Sequence, residues 1–83
     1  MTVCALIFRS VHDVLKAEKI VLGKNLAVRL IPVPKQVDPD CGVALQISCE
    51  QRDEILFLLA ELHHRLKGVY LVDGTRFSPL EDR

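Results

Sequence analysis

Apolar positions along the chain follow two alternating periods. Residues 2–9, "TVCALIFR", form a short continuous apolar run of the kind a buried strand shows. Val3, Ala5 and Ile7 alternate with Cys4, Leu6 and Phe8, so this strand is apolar on both faces. From Ser10 the period lengthens. Ser10 followed by Asp13 resembles a capping box, Gly23 suits a helix stop, and Val14, Ala17 and Val21 line one face between them, with Lys16 and Lys19 outward. "LAVRLIPVP" predicts a second strand whose Pro32 and Pro34 cannot donate to a ladder, which places it at a sheet edge. "GVALQIS" alternates, with Val43, Leu45 and Ile47 inward, and predicts a third strand.

Ser48 and Gln51 make another capping-box pattern and open a helix expected from about Cys49 to Leu66, with Ile55, Leu58, Leu59, Leu62 and Leu66 as its apolar stripe. "GVYLVDG" predicts a fourth strand from Gly68. Residues 75–83 are polar, contain Pro79 and are expected to be a flexible tail, which leaves residues 1–74 as a single domain. The order is β-α-β-β-α-β. It predicts an α+β, ferredoxin-like sandwich: a four-stranded antiparallel sheet with two helices on one face. Something must then cover the second apolar face of the first strand, and a homodimer through the open sheet is the simplest candidate.

The 83 residues suit one thin core. Eleven basic and eleven acidic residues, dispersed along the chain, provide no electrostatic footprint for nucleic acid and no polybasic patch for a membrane. The expected central strands also lack stacking aromatics for RNA. "VCALIF" is too short, and too soon followed by Arg9, for a signal peptide, so the expected location is cytoplasmic. No cofactor is implied. No Ser-His-acid arrangement or arginine-bearing glycine-rich phosphate loop is present, and the chain does not read as an enzyme. His12, His63 and Cys41 could approach one end of the sheet. However, Cys-x-x-Cys spacing is absent and the helix dipole explains His63 and His64, so no metal site is expected.

Three widely spaced cysteines argue against a disulfide framework. Cys4, inside the first strand, reads as a small buried hydrophobe. Cys49, at the first turn of the second helix, is a rival reactive thiol. Cys41 lies in "RLIPVPKQVDPDCGVALQIS", in the hairpin between the second and third strands. In this fold that hairpin emerges beside the end of the first strand and the start of the first helix, which brings Arg9, Ser10 and His12 towards Cys41. Arginine and a helix N-terminus favour a thiolate, whereas Asp38 and Asp40 oppose a second negative charge. Gly42 leaves room for an approaching group, and the prolines stiffen the loop. Cys41 and Cys49 would stand on the order of 20 Å apart, at opposite ends of the third strand, too far for a disulfide.

Phe8, Ser10, Ala17, Glu18, Pro32, Pro34, Lys35, Cys41 and Gly42 together make a pattern that resembles the selenium/sulfur carrier protein-like family, a small bacterial family, over roughly Val3 to Asp73. Lys35 stands where arginine is more usual, and it lacks the planar fork for bidentate anion binding. The resemblance implies that Cys41 carries a persulfide or selenylsulfide on an exposed loop. Arg9, Ser10, His12, Pro34, Lys35 and Gly42 would surround it. The implied partners are sulfur or selenium donor and acceptor proteins, such as a cysteine desulfurase or a selenophosphate-synthesis enzyme. The alternative is a dimeric ferredoxin-like module that binds a small ligand and uses no thiol chemistry.

Overall fold

The structure is a computed structural model and describes residues 3–80. Five strands form one sheet in the order β2-β3-β1-β4-β5: β1 (Val3–Phe8), β2 (Arg29–Pro32), β3 (Val43–Ser48), β4 (Leu66–Asp73) and β5 (Arg76–Pro79). All neighbouring pairs run antiparallel. Helix α1 (Val11–Leu22) joins β1 to β2, and α2 (Arg52–Leu58) lies between β3 and β4.

The expected elements are present with altered limits. Ser10 caps α1, its Oγ accepting from the Asp13 amide, and the predicted Val14, Ala17 and Val21 face is buried. Gly23 ends the helix in right-handed backbone, and the left-handed residue of the turn is Asn25 at φ 62°. The proline-bearing β2 does sit at a sheet edge. The second helix is not continuous. A 3₁₀ turn, Cys49–Gln51, precedes α2, and a longer 3₁₀ segment, Ala60–Arg65, follows it. Three residues per turn stack Leu59, Leu62 and Arg65 on one side of that segment. Leu59 and Leu62 enter the core, and Arg65 reaches Asp13 at 2.9 Å.

Two differences from expectation have a common cause. The sheet has five strands, because Arg76–Pro79, read from sequence as part of a flexible tail, pairs with β4 through Gly74 at φ 64°. Residues 81–83 of that expected tail lie outside the described residues. The second face of β1 is also covered from within the chain. Cys4, Leu6 and Phe8 join Val14, Ala17, Val21, Leu45, Ile47, Ile55, Leu59 and Leu62 in the helix-side core. On the other face Ala5, Ile7 and Ala44 are buried with Val33 and Val72, and Val37, Tyr70 and Phe77 pack against them. Val33 and Val37 come from the β2–β3 loop, and Phe77 from β5. The homodimer expectation rested on that face being open, and the fold removes the argument for it.

This covering is testable. Phe77 meets Tyr70 edge to face at a centroid distance of 6.3 Å, and truncating a partly buried aromatic that helps close a small core costs about 2 kcal/mol. Phe77→Ala is therefore expected to lower the urea midpoint without changing the m-value. An unchanged midpoint would mean that β5 contributes nothing to covering the second face.

Candidate functional site

The β2–β3 loop wraps around one end of the sheet. The Val33 amide donates to the Gly42 carbonyl at 3.0 Å, carrying the ladder one step beyond Pro32. The Pro34 carbonyl then accepts from the amides of Val37 (2.9 Å) and Asp38 (3.2 Å), which closes a turn. That turn leaves Val37 against the second face of the sheet, while Cys41 enters the helix-side core.

Cys41 is therefore not exposed. Its relative accessibility is 0 %, it packs in the cluster containing Phe8 and Val14, and its Sγ–H donates to the Val43 carbonyl at 3.1 Å. The expectation of a thiol presented at the loop tip is corrected: the tip residues are Lys35, Gln36, Pro39 and Asp40, all exposed. Among the described residues no hydrogen bond or ion pair joins Cys41 to the surroundings expected for it. Arg9 donates its amide to the Arg65 carbonyl (2.9 Å) and its Nε to the His64 carbonyl (3.3 Å). The Ser10 hydroxyl donates to Asp13 Oδ2 at 2.9 Å. His12 and Lys35 are exposed, Pro34 spends its carbonyl on the turn, and a Cβ added at Gly42 would meet only open space. Each is committed to holding local structure or faces solvent.

The loop is instead tied down by Lys67, which sequence reasoning did not single out. The β1–β4 register shifts between Ile7, opposite Gly68, and Phe8, opposite Leu66, so Lys67 is the extra residue of a bulge. Bulges re-aim side chains, and this one brings Lys67 Nζ to Asp38 Oδ1 at 2.9 Å and Asp40 Oδ2 at 3.5 Å. Asp38 is buried, and its Oδ2 has no hydrogen-bond partner. Burial pushes the Asp38 carboxyl up, but the hydrogen bonds from Lys67 and the Asp40 amide, with the Lys67 charge, hold it below the ordinary 3.8. Its hydrogen bond to Asp38 raises Lys67 above 10.5 despite partial burial. A second pair of this kind, Arg65 on Asp13, fixes the start of α1. There too burial pushes the carboxyl up and Ser10 and Arg65 more than offset it, leaving it lowered. The acids of these pairs, Asp38 and Asp13, stood out in the sequence, but nothing local to Lys67 or Arg65 marked them as the partners.

The remaining thiols are brought together. Cys4 and Cys49, 45 positions apart in sequence, are bonded as a disulfide with Cα atoms 5.2 Å apart. This runs against the expectation that a disulfide framework is unlikely. Cys4 is the buried residue expected of it, but it has a partner. Cys49 has none of the isolation of a free first-turn thiol. Cys41 remains as the free cysteine. Among the described residues no three His, Cys, Asp or Glu side chains gather as a metal site would require, and no helix is long and apolar enough to cross a membrane.

The signs of the two shifts define a pH window for the clasp. A lowered carboxylate contributes stability above its unfolded pKa of about 3.9, lost as pH falls through the folded value. A raised lysine contributes below about 10.4, lost as pH rises through its folded value. Lys67→Met is expected to lower the urea midpoint at neutral pH, since Asp38 stays buried without its cation. It should also speed labelling of Cys41 by a thiol reagent. Equal labelling rates in wild type and variant would show that the ion pair does not latch the loop.

No curated protein and no solved structure matches the chain. A family model described as "Putative Se/S carrier protein-like" matches residues 3–71, taking in β1, α1, the Lys67-latched loop with Cys41 and Gly42, and most of β4. With most of its length matched, the chain belongs to that selenium/sulfur carrier protein-like family.

Proposed function

We propose that the protein carries sulfur or selenium, with Cys41 as the cargo thiol and the loop around it acting as a cover that opens for loading and delivery. The observation that carries this reading is the burial of the free cysteine at the base of a loop that Lys67 latches through Asp38 and Asp40. Membership of the carrier family supports the cargo class. A hidden thiol suits a carrier for a physical reason. A persulfide left in solvent exchanges with any passing thiol, whereas one under a cover is released only where the cover is lifted. An acceptor that competes with Asp38 and Asp40 for Lys67 supplies a means of lifting it. Gly42, open on its outer side, leaves a path for the donor's sulfur.

Loading is an exchange in which Cys41–SH and a donor persulfide R–S–SH give Cys41–S–SH and R–SH. The terminal sulfur is passed on and no net electrons are lost. Donor and acceptor are proteins of the cysteine desulfurase or selenophosphate-synthesis type, the role is carriage rather than turnover, and the setting is cytoplasmic. The framework we assign is ferredoxin-like: β2, β3, β1 and β4 lie in that plan's order, both helices pack on one face, and β5 is an addition.

A second reading rests on a groove of about 380 Å³ on the other sheet face, walled by Ile31 to Pro34 on one side and by Gly74, Thr75 and Phe77 on the other. It is the site for a small apolar ligand if the protein is a binding module with no thiol chemistry.

The two readings separate in one experiment. Wild type and Cys41→Ser are incubated with a cysteine desulfurase and cysteine, then measured by intact mass with the adduct mapped by peptide. An added sulfur on Cys41, missing from the variant, is the expected result. A Cys41 that stays unmodified even in Lys67→Met would sink the carrier assignment to this residue and favour the groove.

A further inference from the structure

The Cys4–Cys49 pair lies at the end of β1 away from the latched loop. The register places it there: Val3 is opposite Ser48 and Cys4 opposite Ile47, so the chain leaves β3 one residue later and turns Cys49 over Cys4. Their Cα separation of 5.2 Å lies within the range that a disulfide spans without backbone movement. The two residues differ in access. Cys4 has 0 % relative accessibility, whereas Cys49 is only partly buried, at the edge of the helix-side core. A buried cysteine joined to a partly exposed one is the arrangement in which an outside thiol meets a single end of the bond.

We infer that Cys4 and Cys49 form a second thiol site, at which Cys49 accepts sulfane sulfur from a low-molecular-weight persulfide and Cys4 discharges it as sulfide. The site uses the sulfur-carrying reading for its substrate class but does not involve Cys41. In the reduced protein, Cys49–SH and R–S–SH give Cys49–S–SH and R–SH. Cys4 then attacks the inner sulfur of Cys49. The S–S bond to the terminal sulfur breaks, that sulfur leaves with the electron pair and takes up the Cys4 proton, and the products are the Cys4–Cys49 disulfide and H₂S. The two cysteines are oxidised and the sulfane sulfur is reduced. With a selenylsulfide on Cys49 the same step releases hydrogen selenide. A small dithiol or two monothiols reopen the disulfide by attack at Cys49, the less buried of the two residues, with Cys4 as the leaving thiol. The structure is the discharged, oxidised state of this cycle.

The test uses Cys41→Ser protein throughout, so that the fate of Cys41 has no part in the result. The protein is reduced with dithiothreitol under native conditions, desalted without oxygen and given one equivalent of glutathione persulfide. Sulfide is measured with monobromobimane and the protein by intact mass. The expected result is about one equivalent of sulfide per chain, with loss of two hydrogens from the protein. In Cys41→Ser with Cys4→Ala, sulfide should fall at least about tenfold while a sulfur adduct accumulates on Cys49. Cys49→Ser, a change at a less buried position, should release no sulfide and take up no adduct, which keeps the test decisive if the Cys4 variant does not fold. Equal sulfide release with and without Cys4 overturns the inference. So does a disulfide that folded protein does not surrender to dithiothreitol, since the pair is then a fixed cross-link. Failure here with a Cys41 adduct in the desulfurase experiment removes this site alone, and the reverse pattern removes the Cys41 assignment alone.

Discussion

A central strand that is apolar on both sides must be covered on both sides, and the rest of the molecule is arranged around that requirement. Cys4, Leu6 and Phe8 lie under the two helices, while Ala5 and Ile7 face away from them yet remain fully buried. A four-stranded sheet with helices on one face leaves the second set in water. This chain covers the face in part from within, by folding Val33 and Val37 of a loop across one part of it and adding β5 with Phe77 across another. A large side chain contributes about 1.5–3 kcal/mol when fully buried and less where, like Val37 and Phe77, it is partly buried. In a protein of 83 residues that is a substantial share of a small total stability.

Covering the second face also sets the chemistry. Once Val37 is pinned to one side of the sheet, the few residues that lead back to β3 must round its end, and Cys41 arrives in the core on the other side. Asp38 goes under with it. A buried carboxylate is costly unless a cation meets it, and the bulge that turns Lys67 out of register supplies one. Structural covering, the ion-pair clasp and the sheltered thiol are therefore one arrangement. The open oxygen of Asp38 marks the clasp as the place where that arrangement is least satisfied.

Much of the fold was legible along the chain, because hydrophobic period is a local property. The Ser10–Asp13 cap, the buried stripe of α1, the edge position of the proline strand and the inward set of β3 all rest on residues a few positions apart, and all are present. β5 was missed because "RFSP" has a single large apolar residue, and it is ordered by pairing with β4 rather than by its own propensity. The break in the second helix was missed because Leu59 and Leu62 fit a period of three as well as one of 3.6.

The family, the three thiols and the stiff proline loop are properties of the sequence alone, since residue type and short spacing carry them. Which thiol is free, which is hidden and which pair meets were decided only in the folded chain. Cys4 and Cys49 are neighbours because β1 and β3 pair in one register, and a slip of that register would part them. Cys41 is buried because the far face of a strand needed covering, and Lys67 meets the buried Asp38 because a bulge moved one side chain. Such relations join residues tens of positions apart through packing, and no local pattern records them.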